Sequence, residues 1–231
     1  MDLQELLLKA KNNADPETRL RLPIFIPNGE LAGMMYCIDQ GMMSHDLIRN
    51  LTKWRQDNMK WFLTQFNATE ARTRNWMMND FLPDPSRILF ILKDVHGDII
   101  GQYGLRSMTT ENGEIDIIIR GRPGGVKGFI HYTEIAALAW MFGKLGQSKS
   151  NLFVFSHNDP TVKLHKSTSF EIVDSLKLSE GVVPQNYTHY YLVESDEGAL
   201  VHFNYLEMAT TKERFLLVHP WVKNVYPGDW R

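Results

Sequence analysis

Two carboxylates and a cluster of glycines and cations share one stretch of the chain. Glu114 and Asp116 stand two positions apart in the segment Glu114-Ile115-Asp116-Ile117-Ile118-Ile119. Side chains on a strand repeat every two residues, so both acids are expected on one face. Directly after them comes Arg120-Gly121-Arg122-Pro123-Gly124-Gly125-Val126-Lys127-Gly128. A helix is expected from Phe129, and the first N–H groups of a helix have no partner inside it. The glycines let a ligand approach the backbone, and Arg120, Arg122 and Lys127 add positive charge. Such a turn suits a phosphate or pyrophosphate. It is not a Walker A loop, because no Gly-Lys-Ser/Thr follows, and its glycine spacing is not that of the dinucleotide fingerprint. A turn that only reverses the chain is the competing reading.

The remaining candidates are histidines and one asparagine. His165 lies seven residues after Asn158, and a neutral imidazole can offer one N–H. His131 falls in the first turn of the expected helix, where it either lies on the helix surface or contacts a ligand. His189, His202, His219 and Tyr205 carry no assigned role beyond the acceptor side of a site. No metal-ligand spacing of His and acid residues occurs, and the Gly-x-Ser-x-Gly elbow of serine hydrolases is absent.

The elements that hold these residues read as a βαβ unit. A strand over Glu114–Ile119 leads through the glycine turn into a helix over Phe129–Leu145. A second strand, Asn151–Ser156, leads to a short helix that ends near Phe170. Upstream, the pattern gives a helix over Leu3–Lys11, a strand over Arg19–Ile26, and either a strand or a loop over Leu31–Gln40. Helical stretches follow over His45–Arg55, with Ser44 as N-cap, over Asn58–Phe66 and over Thr69–Asn79. Strands over Arg87–Lys93 and Ile99–Met108 flank the His96-Gly97-Asp98 turn, and Asn112-Gly113 marks the next hairpin. Downstream, Glu171–Leu178 and Tyr187–Glu194 alternate as strands, and Val201–Met208 and Phe215–Val218 are further apolar runs.

At 231 residues, with 43 % apolar and 23 % charged residues, the chain suits one domain with a full core. A net charge of -2 gives no global field for nucleic acid or an anionic membrane. Cys37 is the only cysteine, so no internal disulfide forms, which fits a reducing, cytoplasmic compartment. The N-terminal residues are too acidic for a signal peptide, and no run of about 18 apolar residues exists to span a membrane.

The segment Asn158-Asp159-Pro160-Thr161-Val162-Lys163-Leu164-His165-Lys166-Ser167-Thr168-Ser169-Phe170 resembles the N-x-x-A-x-x-L-Y-x-K-x-G-F segment of the GCN5-related N-acetyltransferases. Asn158, Leu164 and Phe170 fall in register, and the glycine turn and helix lie upstream in the same order. Leu51-Thr52-Lys53-Trp54-Arg55 is similar to the branch of ribosomal-protein and amino-sugar acetyltransferases. The resemblance covers roughly residues 19–194 and leaves 195–231 as a C-terminal extension. It implies a single α/β (α+β) domain, a mixed, mostly antiparallel sheet flanked by helices.

It further implies acetyl-CoA as co-substrate and a primary amine of a small molecule as acceptor, with an amino sugar, nucleotide-linked or free, as first expectation. A protein N-terminal amine is the second, and a non-catalytic CoA-binding protein the competing class. A homodimer is compatible with it. The implied cofactor contacts are the backbones of Ile118 and Ile119, where the family's strands splay, then Arg120, Arg122, Gly124, Gly125, Val126, Lys127, Gly128 and Phe129 at the turn, and Asn158. Asn158 also reads as the cap of its helix. His165 stands at the family's acidic Tyr, and Glu114 and Asp116 stand where relatives carry a base. Of these two, Asp116 is expected to be the more deeply set. The turn departs from the family pattern: aligned on Gly128, Pro123 replaces the usual Arg or Gln and Val126 replaces a Gly.

Overall fold

The computed structural model describes residues 2–183 and 187–230. Their strands form one ten-stranded sheet in the order β1-β2-β4-β5-β6-β7-β10-β8-β9-β3. These are β1 (Arg21–Phe25), β2 (Leu31–Cys37), β3 (Thr64–Gln65), β4 (Ile88–Asp94), β5 (Ile99–Arg106), β6 (Asn112–Arg120), β7 (Lys149–Phe155), β8 (Glu171–Val183), β9 (Tyr187–Val193) and β10 (Tyr205–Thr211). All ladders are antiparallel except β6 with β7.

The sheet is covered on both faces, and the alternation along β4 shows it. Ile88, Phe90 and Leu92 point into one core, and Leu89 and Ile91 into another. The first core packs under α1 (Leu3–Lys11) and α4 (Phe129–Gly143). The second packs under α2 (His45–Asp57) and α3 (Glu70–Trp76). Ser44 caps α2 and Thr69 caps α3, each accepting a backbone N–H of the first turn. Twelve residues of α4 are buried, all round the helix, as the unbroken apolar run Ile135–Gly143 requires.

The outer face of α4 is closed by the end of the chain. Phe215, on α6 (Lys212–Val218), packs 5.5 Å from Phe142. Beyond the short α7 (Val222–Val225), the N–H of Asp229 donates to the Gly143 carbonyl at 2.7 Å. Residues 195–230 therefore do more than append a tail. β10 lies between β7 and β8, bonded to both, and the sheet would be cut in two without it.

Two expectations are corrected, and one apolar run gains an element. Asn58–Phe66 is not a helix: one 3-10 turn over Met59–Trp61 is followed by β3, drawn out to pair with Thr188 and His189 of β9. The helix expected over Thr69–Asn79 is α3 followed by a π turn, Met77–Phe81. The run Phe215–Val218 belongs to α6.

Candidate active site

The parallel pairing of β6 with β7 covers only Asn112–Ile115 against Lys149–Leu152. Both strands continue, β6 to Arg120 and β7 to Phe155, but they diverge. The cause is a bulge in β6. Against β5, Leu105 pairs with Ile115 but Tyr103 pairs with Ile118, so β6 carries one residue too many between them. Ile115 points into the α4-side core, yet Ile117 and Ile119 point into the α2-side core, a reversal of parity that requires the extra residue. Beyond the bulge Ile118 and Ile119 stay paired with Tyr103 and Gln102 of β5. Their other edge faces the splay, where backbone polar groups remain for a ligand.

The glycine turn sits at the far end of this splay. The N–H groups of Gly121 and Arg122 both donate to the Ile100 carbonyl. The turn then coils through left-handed backbone at Gly124 (φ 144°), Gly125 (φ 68°) and Gly128 (φ 82°), the last being the cap of α4. Side-chain carbons are strained there, and a Cβ at Gly125 would also lie 2.7 Å from the Phe129 ring. The N–H groups of Val126, Lys127 and Gly128 meet no acceptor among the described residues. They suit an anion. The charges of the turn divide into two groups. Arg120 donates to the Gly124 carbonyl at 2.9 Å, and Arg122 pairs with Asp98 at 3.0 Å, so both brace the loop. Lys127 is exposed and has no carboxylate partner among the described residues. Phe129 is fully buried beneath the turn.

At the near end of the splay lie the two acids, with their expected depths reversed. Glu114 is 8 % exposed and accepts from Arg106 Nε and Nη2 at 2.8 and 2.6 Å. Asp116 is exposed, and Arg106 reaches it only at 3.5 Å. The bulge lifts Asp116 to the rim while Glu114 stays under the paired part of the ladder. Burial pushes the Glu114 carboxyl above its usual range, although the Arg106 bonds pull it back. Arg106 itself stays firmly cationic, because the Glu114 bonds overcome the cost of its burial.

From β10, Tyr205 faces this cluster. Burial pushes its hydroxyl up to about 12, and the charges of Arg106, Asp116 and Glu114 act on it. Tyr205 stacks on Phe153 at 5.5 Å. Its neighbours continue an aromatic wall, Phe155, His157, Phe203, Tyr190 and Trp61. Nothing in the order of residues places β10 beside β7, so this wall is invisible before folding.

His165 is held in a buried pair. It is on α5 (Asp159–Ser167), 3 % exposed, with Nδ1 2.9 Å from the Glu134 carboxylate of α4 and its ring edge-on to Phe170. Thr168 donates to the same carboxylate. This buried set ties α5 to α4. Asn158 precedes α5, buried, but its side chain makes no capping bond; its carbonyl accepts from Thr161 and Val162 instead. His131 is half-buried, 3.0 Å from the Ser167 hydroxyl. His189 bonds Thr64 at 2.7 Å, and His219 is buried against His131 and Phe215. A depression of about 490 Å³ lined by Trp76, Asn79, Asp80, Pro83, Asp84 and Arg87 contains neither the turn nor these acids.

Among the described residues, no group of three or more His, Cys, Asp or Glu side chains is arranged to hold a metal, and no helix is long and apolar enough to cross a membrane. No protein-family model matches the sequence, and no curated protein does. Solved structures do match by shape. A GCN5-related N-acetyltransferase from Brucella melitensis superposes with a TM-score of 0.61 at 12 % identity, over 84 % of this chain and 81 % of that one. The spermidine N-acetyltransferase from Vibrio cholerae, in complex with CoA and spermine, gives 0.52 at 17 % identity, over 75 % of this chain and 95 % of that one. A dodecameric form of the Vibrio cholerae enzyme matches equally, at 0.52 and 17 %. Neither likeness singles out the ribosomal-protein and amino-sugar branch. The splayed parallel pair, the glycine turn at the N-terminus of α4 and the interposed β10 thus belong to a chain with the fold of the GCN5-related N-acetyltransferases.

Proposed function

We propose that the protein transfers an acetyl group from acetyl-CoA to a primary amine. The observation that carries this is the continuity of the splay with the turn: open backbone edges at Ile118 and Ile119 lead directly to the unpaired amides of Val126–Gly128. A long, flexible ligand with an apolar arm and a pyrophosphate fits that sequence of groups. The residues that would hold it are Ile118 and Ile119 along the arm, Gly124, Gly125, Val126, Lys127, Gly128 and the first amides of α4 at the phosphates, with Asn158 across the splay. Arg120, Arg122 and Phe129 shape the turn.

Acetyl-CoA supplies an activated acyl group as its thioester. The chain must supply a neutral amine and a proton for the departing thiolate. An alkyl amine titrates near 10.4 in water, so at neutral pH it arrives charged. Asp116, at the rim and only loosely held by Arg106, is the carboxylate that meets the ammonium group. Glu114, held behind it with its affinity for protons raised by burial, completes the relay. Tyr205, kept protonated by burial, is the O–H that returns a proton to sulfur. His165, bound to Glu134, positions α5 against α4.

The amine acceptor of the Vibrio cholerae enzyme is a polyamine; an amino sugar follows from the Leu51–Arg55 segment, and both belong in a first panel. Continuous detection of free thiol with acetyl-CoA and a panel of amines tests the reading. Amine-dependent release supports it. Tight CoA binding with no release for any amine would favour a binding protein instead.

A further inference from the structure

Resting on that reading, we propose that Arg55 and Arg72 form a subsite for an acidic group, a carboxylate or phosphate, carried by the amine acceptor. Arg55, on α2, is half-buried and lies with its guanidinium carbon 3.3 Å from the centre of the Phe62 ring and 5.3 Å from that of Phe66. Arg72, on α3, lies 4.3 Å from the same Phe66 ring and 4.9 Å from Tyr187, whose hydroxyl accepts from its Nη1. Two guanidinium groups are thus gathered around one phenylalanine. Ring faces, the Tyr187 hydroxyl and one carbonyl hold them, the last being Thr64 O, which accepts from Arg55 Nη2 at 3.2 Å.

An unpaired arginine at an exposed surface is ordinary. Arg55 is not at one. Its Nε is buried with no acceptor, and neither arginine has a carboxylate partner among the described residues. The chain has acids to spare nearby, but Arg106 takes Glu114 and Asp116. The charge of Asp116 reaches Arg55 without forming a contact. Burial pulls Arg55 down to about 10, which still leaves it cationic at neutral pH. A planar guanidinium fixed on an aromatic face keeps its fork for carboxylate or phosphate oxygens.

The two charges at this mouth therefore have opposite sign and separate owners. Asp116, at the splay, suits the ammonium group of the acceptor. Arg55, on α2 within reach of the charge of Asp116, and Arg72, which shares the Phe66 ring with it, suit an anion on the same molecule. A simple polycation meets one of these groups favourably and the other unfavourably, which gives specificity by repulsion as well as attraction.

Matched amines test this: 4-aminobutanoate against butylamine, O-phosphoethanolamine against ethanolamine, and spermidine as the polycation. The wild type is expected to favour the acidic member of each pair at least tenfold in kcat/KM, and the better pair tells carboxylate from phosphate. Arg55→Gln and Arg72→Gln should each cut that preference at least fivefold, and Arg55→Lys should restore part of it. Arg72 is exposed, so its variant folds even if Arg55→Gln does not. Calorimetric binding of the same pairs to the CoA-loaded protein reads the subsite without turnover. Preferential binding of the acidic members, lost in Arg72→Gln, supports the subsite even if no amine is acetylated and the transferase reading fails. Turnover or binding indifferent to the acidic group, or a preference for spermidine, overturns the subsite while leaving acetyl transfer standing.

Discussion

Gly121→Ala is a sharp test of how the turn is held. A Cβ at Gly121 would lie 2.5 Å from Cδ2 of Trp54 and closer still to Cε2 and Nε1. Trp54 is 5 % exposed and packs in the α2-side core, so the indole has no free space to retreat into. Forcing one methyl group into such packing costs about 1–3 kcal/mol, and the bulk and rigidity of an indole put this case near the upper end. For a chain of this size that is roughly 6–12 °C in Tm. The turn, bonded through Gly121 and Arg122 to Ile100, must shift with it, so CoA affinity should fall at least tenfold. Trp54→Leu alone should also destabilise, by about 3 kcal/mol, through the cavity it leaves. In the double variant the new methyl group enters that cavity. The combined loss should then fall short of the sum of the singles by about 1–3 kcal/mol. Urea unfolding of the four proteins measures the coupling. Additive losses, or Gly121→Ala with unchanged stability and CoA affinity, would refute the packing of α2 against the turn.

The other predictions concern titratable groups. Asp116→Asn should lower turnover by about 10²–10⁴-fold with CoA affinity near wild type. Glu114→Gln should lower turnover and also Tm, because it removes the charge that Arg106 holds at 2.6 Å; stopped-flow kinetics and calorimetry separate the two effects. His165→Ala should destabilise by about 2–3 kcal/mol, since the buried Glu134 carboxylate loses a hydrogen-bond partner. At temperatures where it remains folded, its kcat should lie within a few-fold of wild type; an intact Tm with a loss of tenfold or more in kcat would return His165 to the role of proton donor. His219 is held down to about 4 by burial and by His131. Its proton is disfavoured in the folded state, so its contribution is intact above about pH 6.5 and is lost as pH falls towards 4, by up to about 3 kcal/mol. Unfolding curves from pH 7 to 4 should show that loss in wild type and not in His219→Phe.

Much of the site-bearing unit is legible from local pattern. The apolar run of α4 and the glycines before it announce strand, turn and helix within a few residues of their observed limits, although Asn112-Gly113, read as a hairpin turn, opens β6 and the connection from β5 runs through residues 107–111. Legibility ends where a residue's setting depends on a distant strand. Glu114 and Asp116 read as equivalent positions of one alternating strand, and only the bulge against β5 buries the first and exposes the second. Residues 58–66 have helical composition, but pairing with β9 overrides it. Tyr205 comes to face the two acids only because β10, which starts 50 residues after β7 ends, inserts between β7 and β8. Arg55 reads as an ordinary helix-surface charge until Phe62 and Thr64 fold back over it.

The splay and the turn together are proposed as one binding site for an acyl-CoA. Backbone amide NMR during titration with CoA, followed by a crystal structure of the complex, tests it most directly. The amides of Val126, Lys127, Gly128 and the first turn of α4 should shift together with Ile118 and Ile119. In the crystal, the pyrophosphate should lie on that turn and the pantetheine arm between β6 and β7. Shifts confined to other surfaces, or a saturating CoA concentration that leaves residues 118–131 unmoved, would place the CoA site elsewhere.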